Sequence, residues 1–236
     1  MYKITSYKYI DNNKKDTVLY LHGWGCNLKY MVPLTKTKKW NCLVLDLPGF
    51  GENLAFEKPF LFEEIADCII NFINENNYNV SYIVGHSFGG KLATYISSKL
   101  HIKHLFLLSA SIFNKKRHLS YYIKIYFYKL IKVLFPKSKL LLCFGSKDYK
   151  QLNGVMKKTM SNVINYKMNK TLKLLNIPTS IIFAKNDNIT PMYLAKKIKR
   201  KIKDSSIIKI NGDHFSYLYN IDYINLIIES VVNNNV

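Results

Sequence analysis

Val80-Ser81-Tyr82-Ile83-Val84-Gly85-His86-Ser87-Phe88-Gly89-Gly90 is the stretch that decides how this chain is read. Val80 to Val84 is a short, largely apolar run of strand character. Lys91 to Leu100 has apolar residues at helical spacing. Between them, Gly85-His86-Ser87-Phe88-Gly89 fits the pattern G-x-S-x-G on a strand-to-helix turn, the context in which that pattern is informative. Such a turn strains the serine backbone. Side chains two residues to either side would collide with neighbouring elements, and glycine at 85 and 89 avoids this. Ser87 is therefore the candidate nucleophile and Gly85 and Gly89 its elbow glycines. A glycine-rich turn with an incidental serine is the bland alternative, and the flanking strand and helix argue against it.

A serine on such a turn needs stabilisation of developing negative charge. The backbone N–H of Phe88 opens the next helix, where unpaired donors and the helix dipole favour an anion. The second oxyanion donor is expected from the loop after the early strand, His22-Gly23-Trp24-Gly25, at the backbone N–H of Trp24. His22 itself reads as a structural residue that shapes this loop.

Serine also needs a base. His214 follows the last expected strand in Gly212-Asp213-His214-Phe215, where a loop would hold it over Ser87. His86 adjoins Ser87, but the sharp turn should aim its ring elsewhere. His101 and His104 flank a connection at the opposite edge, and His118 lies in a region read as a cap. An orienting carboxylate is expected at Asp187, in Asn186-Asp187-Asn188-Ile189-Thr190-Pro191 after another strand, which gives the chain order Ser, Asp, His. The structural alternative for Asp187 is an N-cap. Asp213 is too close in sequence to His214 to face it, and Asp148 lies in the cap.

Outward from these motifs the chain alternates apolar runs with amphipathic segments. Strands are expected at Thr17–Leu21, Cys42–Leu47, Val80–Val84, His104–Leu108, Pro178–Ala184 and Ser206–Ile210. Helices are expected at Leu61–Asn74, at Lys91–Leu100, from Pro191 as first helical residue, and at Phe215–Val232. This rhythm specifies an α/β fold with a mostly parallel central sheet flanked by helices. From Ser111 to Leu175 the pattern is helical without strands. It is read as a helical cap at 111–175, inserted into a core formed by 1–110 and 176–236. Within it, Leu119 to Phe135 carries aromatics on most faces together with Lys124, Lys129 and Lys132. The segment is expected to line an acyl pocket; lying on an anionic membrane is its other reading.

Composition narrows the partners. The chain has 236 residues and 48% are hydrophobic, which excludes disorder. No apolar run reaches the ~18 residues of a membrane span, and the N-terminus carries no signal-peptide pattern, so a cytoplasmic location is expected. Cys26, Cys42, Cys68 and Cys143 form no CxxC pair and read as reduced core residues. No metal and no cofactor are expected. The net charge is +20, yet Arg117 and Arg200 are the only arginines. The planar fork used for nucleic-acid contacts is thus scarce, and no nucleic acid is expected. Two readings of the lysines stay open. They are a solvated surface produced by A/T-rich codon usage, or they serve an acidic partner such as a carrier protein or an anionic membrane.

Taken in order, His22–Gly25, Asp46-Leu47-Pro48-Gly49-Phe50-Gly51, Gly85–Gly90, Asp187 and the His214 turn resemble the α/β-hydrolase superfamily over nearly the whole chain. The resemblance implies an eight-stranded, mostly parallel sheet and a serine hydrolase. Such an enzyme cleaves carboxylic esters through a Ser-His-Asp triad and an acyl-enzyme, with a small-molecule ester or acyl compound as substrate. Asp46 in that superfamily supports the loop after its strand. The first two motifs look like the carboxylesterases that cleave pimeloyl carrier-protein methyl esters. Menaquinone-pathway synthases on this fold rely on arginines, which are scarce here. A C–C bond hydrolase or acyl transferase on the same triad, and a non-catalytic hydrolase-like binding protein, are the competing functions. The N-terminus leaves room for one strand pair before Thr17.

Overall fold

The structure is a computed structural model that describes residues 2–116, 119–135 and 151–233. Among these, seven strands form one sheet: β1 (Tyr7–Ile10), β2 (Thr17–Leu21), β3 (Asn41–Leu45), β4 (Val80–His86), β5 (His104–Leu108), β6 (Thr179–Ala184) and β7 (Ser205–Ile210). Their spatial order is β1-β3-β2-β4-β5-β6-β7. β1 pairs antiparallel with β3 and all other pairings are parallel. The helices are α1 (Phe62–Glu75), α2 (Phe88–Ser97), α3 (Leu119–Leu134), α4 (Gly154–Asn165), α5 (Asn169–Leu174), α6 (Met192–Lys199) and α7 (Ile221–Asn233).

The central strands are apolar at nearly every position because both faces of the sheet are covered. Leu19, Ile83, Leu105 and Ile181 point to one face, where they meet Ile65 and Ile69 of α1, Leu92 and Ile96 of α2, and Leu194 and Ile198 of α6. Val18, Tyr82, Phe106 and Ile182 point to the other face, towards Ile224 and Ile228 of α7 and Met31 and Leu34 of a 3-10 segment. Period-two alternation along each strand thus feeds two separate cores.

The α/β class and the mostly parallel sheet agree with the sequence expectation. Several details do not. The described residues form seven strands, not eight, because the N-terminus supplies the single strand β1 instead of a pair. β3 ends at Leu45, and Asp46 and Leu47 belong to the loop. β4 runs on to His86, and α2 begins at Phe88, immediately after Ser87. The expected closing helix from Phe215 is broken into a 3-10 turn at Ser216–Tyr219 and then α7. Pro191 is the N-cap of α6 and not its first residue. Between β5 and β6 the described residues form helices and connecting loops, with no strand. His118, Cys143 and Asp148 lie outside the described residues. No described helix is long and apolar enough to cross a membrane.

Candidate active site

The parallel sheet brings the carboxyl ends of β2, β4, β5 and β6 to one rim, the usual place for a site in open α/β sheets. Ser87 stands at the end of β4 as the N-cap of α2, with φ 52° and ψ −113°. This is a region L-residues rarely occupy, at a cost of about 1–3 kcal/mol. The surrounding backbone holds it there. Ser87 N–H donates to Leu108 O at 3.0 Å, extending the ladder to β5, and Ser87 O accepts from Ser111 N–H at 2.9 Å. At Gly85 and Gly89 the neighbouring backbone leaves no room for a side chain. A Cβ on Gly85 would lie 2.6 Å from Gly89 O, and one on Gly89 would collide with the carbonyls of Leu21 and His22.

The His22–Gly25 loop lies against this elbow: a Cβ on Gly23 would come within 3.3 Å of Ser87 Cβ and 3.1 Å of His86 Nδ1. Trp24 packs edge-on against Phe88, with ring centroids 5.5 Å apart. Among the described residues neither Trp24 N–H nor Phe88 N–H donates a hydrogen bond. His22 is fully buried and structural. Its Nε2 accepts from Leu47 N–H at 2.9 Å, so Nδ1 carries the proton and meets Gly23 O at 2.8 Å. Burial lowers its pKa to about 4. Asp46 ties the neighbouring loops together by accepting from Leu28 N–H, Ser6 Oγ and Glu52 N–H.

Asp187, after β6, and His214, after β7, meet at the rim of the sheet. His214 Nδ1 lies 2.7 Å from Asp187 Oδ2, and both residues are buried. Burial alone would raise the Asp187 pKa. Hydrogen bonds from His214 and from the Thr190 hydroxyl and backbone outweigh it and bring the carboxyl down to about 2. Asp187 Oδ1 accepts from Ile189 and Thr190 N–H, so the residue closes a local turn instead of capping α6. Among the described residues the Ser87 hydroxyl has no hydrogen-bond partner, and Ser87 is half-buried.

Two residues beside this pair were not singled out by sequence reasoning. The turn does not aim His86 away from the site. Its ring lies 4.8 Å from that of His214, and its Nε2–H donates to the His214 carbonyl at 3.0 Å. Burial, and then the charge of His214, hold the His86 pKa at about 3. This contact joins residues 128 positions apart, and nothing local signals it. Thr190 Oγ1 lies 2.6 Å from Asp187 Oδ2, 3.1 Å from Ser109 O and 3.3 Å from His214 Nδ1. The Asp-x-x-Thr spacing is the signal that could have exposed it, since a hydroxyl three residues after an aspartate can close on its carboxylate.

Lys91 of α2 is buried, without an acidic partner among the described residues. Its Nζ donates to Val163 O at 2.6 Å and Tyr166 O at 3.0 Å and lies 5.3 Å from the Phe62 ring centroid. Burial lowers its pKa to about 8. The helix that carries Ser87 is thereby fastened to the end of α4. Among the described residues no group of three or more His, Cys, Asp or Glu side chains could hold a metal ion.

Known proteins resemble this chain in sequence and fold. A stretch of 96 residues is 34% identical to a pimeloyl-[acyl-carrier protein] methyl ester esterase of Pseudoalteromonas atlantica, covering 39% of this chain and 36% of that protein, so little more than a third of that relative is matched. A Mycoplasma genitalium protein named esterase/lipase 2 is 28% identical over 210 residues, 78% of each chain. The crystal structure of a lipase-esterase related protein from Clostridium acetobutylicum superposes with a TM-score of 0.73 at 23% identity, covering 96% of this chain and 100% of that one. A meta-cleavage product hydrolase of Pseudomonas fluorescens superposes with a TM-score of 0.71 at 16% identity, covering 98% and 94%. The family described as alpha/beta hydrolase fold matches residues 16–134, half of the chain and the part that holds both the His22 loop and the Ser87 elbow. On that match, and on the sheet order and elbow geometry, this chain belongs to the α/β hydrolase fold family.

Proposed function

We propose that the chain is a serine hydrolase that cleaves carboxylic esters, with Ser87 as nucleophile, His214 as base and Asp187 as the orienting acid. The observation that carries this reading is the buried 2.7 Å contact between His214 Nδ1 and Asp187 Oδ2. It sits on a histidine whose ring packs against the residue just before Ser87. With Nδ1–H engaged by Asp187, the lone pair of His214 is on Nε2, as a base for serine requires. Ser87 Oγ attacks the ester carbonyl while Nε2 takes its proton. The N–H groups of Trp24 and Phe88 hold the oxyanion. Collapse expels the alcohol, which takes the proton from His214. Water, deprotonated by the same histidine, then releases the acid and restores Ser87.

Small-molecule esters are proposed first as substrates. An acyl group presented on an acidic carrier protein is the second candidate, supported by the name of the Pseudoalteromonas relative and by the lysine excess. Residues 111–175 are proposed as the cap that sets acyl preference, in a cytoplasmic enzyme. The test is labelling with a fluorophosphonate together with a p-nitrophenyl ester series of increasing chain length. Wild type should be labelled and turn over esters, and Ser87→Ala should do neither. A folded wild-type protein that leaves the probe unreacted overturns the proposal. Faster cleavage of a vinylogous diketone than of any ester would assign the same triad to C–C bond hydrolysis.

A further inference from the structure

We propose that α3 docks this protein on an anionic phospholipid surface. The helix presents two distinct faces. Ile125, Tyr128 and Ile131, spaced three apart, are half-buried. On the opposite side Tyr126, Phe127, Val133 and Leu134 are 64, 51, 78 and 59% exposed, and Ile123 beside them is 48% exposed. With about 100° per residue, positions 123, 126, 127, 133 and 134 fall in one sector roughly 120° wide. Phe135 extends the apolar surface just beyond the helix, at 64% exposure. These side chains face outward and so do not line an enclosed acyl pocket.

Charge identifies the occupant. α3 carries Lys124, Lys129 and Lys132 and no acidic residue, and no Asp or Glu occurs anywhere between Ser111 and Lys147. On the helical wheel, positions 124, 129 and 132 fall outside the apolar sector. An outward apolar, aromatic-rich face on a helix that carries lysine and no acidic residue is the pattern of a helix lying in the interface of an anionic bilayer. A second copy of the chain fits less well, since two molecules of net charge +20 repel each other. An acidic protein would answer the lysines but leave the aromatic and aliphatic side chains bare.

The test uses the full-length protein and flotation with vesicles of phosphatidylcholine, with or without about one third phosphatidylglycerol. Wild type should float with the anionic vesicles only, and about 0.5 M salt should weaken the association. The double variant Phe127→Asp/Leu134→Asp changes exposed side chains, and its circular dichroism should match wild type. Its partitioning should fall by more than about tenfold. The variant Lys124→Gln/Lys129→Gln/Lys132→Gln should lose most of the salt-sensitive part. The proposal is overturned if wild type ignores anionic vesicles, or if the double variant floats as well as wild type. It is equally overturned if the apolar face instead mediates a dimer in sedimentation, or binds an acidic carrier protein without binding vesicles. Binding is measured without turnover, so the outcome is independent of the hydrolase proposal.

Discussion

The Thr190 hydroxyl lies 2.6 Å from Asp187 Oδ2, on the oxygen that also faces His214 Nδ1 at 2.7 Å. A hydroxyl has one proton. Given to Ser109 O at 3.1 Å, it would leave two oxygen lone-pair sets facing each other at 2.6 Å, so it belongs on the carboxylate. In the proposed triad Thr190 is thus a positioning residue that holds the Asp187 carboxylate. Thr190→Val should raise the Asp187 pKa from about 2. It should also lower kcat/KM by about 10- to 100-fold, the value of one hydrogen bond to a charged group. The acid limb of the pH–rate profile should move upward, and Thr190→Ser should restore both. An unchanged profile in the valine variant would make Thr190 a packing residue only.

Loss of the nucleophile and loss of the elbow should be separable. Ser87→Ala should lower ester turnover by ~10⁶ while leaving thermal unfolding close to wild type. Gly85→Ala should be damaging to the fold, because its Cβ would meet only backbone, at 2.6 Å from Gly89 O and 2.7 Å from Gly90 Cα. A loss of about 1–3 kcal/mol is expected from such overpacking, read as a drop in the urea midpoint at constant slope.

Two buried histidines and one half-buried one should make the fold sensitive to acid. His22, His86 and His104 have pKa values lowered by burial to about 4, 3 and 4. Unfolded histidine binds its proton near ~6.5. Between about pH 6.5 and 4 the unfolded chain therefore holds more protons than the folded one, so stability falls as pH falls through that window. Asp187 acts in a lower window: its contribution is complete above about 3.8 and is lost towards 2. Urea unfolding at pH 7.5, 5.5 and 4.5 checks this. His104→Gln, which keeps a polar group near Ser180 Oγ, should flatten the slope between the first two values; an equal slope would refute the assignment for that residue.

Lys91 extends the same direction of change to alkaline pH. Its folded pKa is about 8, against 10.5 for an unfolded lysine. Between those values the unfolded chain binds more protons, so this group adds stability as pH rises. A neutral amine still has donors for both Val163 O and Tyr166 O. Lys91→Met would strand two carbonyls and should cost about 1–3 kcal/mol, and the deficit should widen from pH 8 to pH 10.5. A deficit that stays constant or shrinks over that range contradicts a buried ammonium.

Local chemistry determined which residues form the motifs. The G-x-S-x-G turn, the His22 loop and the positions of Asp187 and His214 after successive strands were all legible, because turn sterics and apolar periodicity act over a few residues. The same locality placed most elements within a few residues of their true ends. The break at Ser216–Tyr219 and the extension of β4 to His86 escaped because neighbouring strands and the rim loops decide them. Tertiary structure alone decided that His86 lies on His214, that Lys91 fastens α2 to α4, and that α3 keeps an apolar face outward. These contacts join residues brought together by packing, and a hydrogen bond across the sheet rim leaves no period in the sequence. Direction, burial and partner of a side chain are properties of the folded neighbourhood, whereas its chemical type is written in the chain.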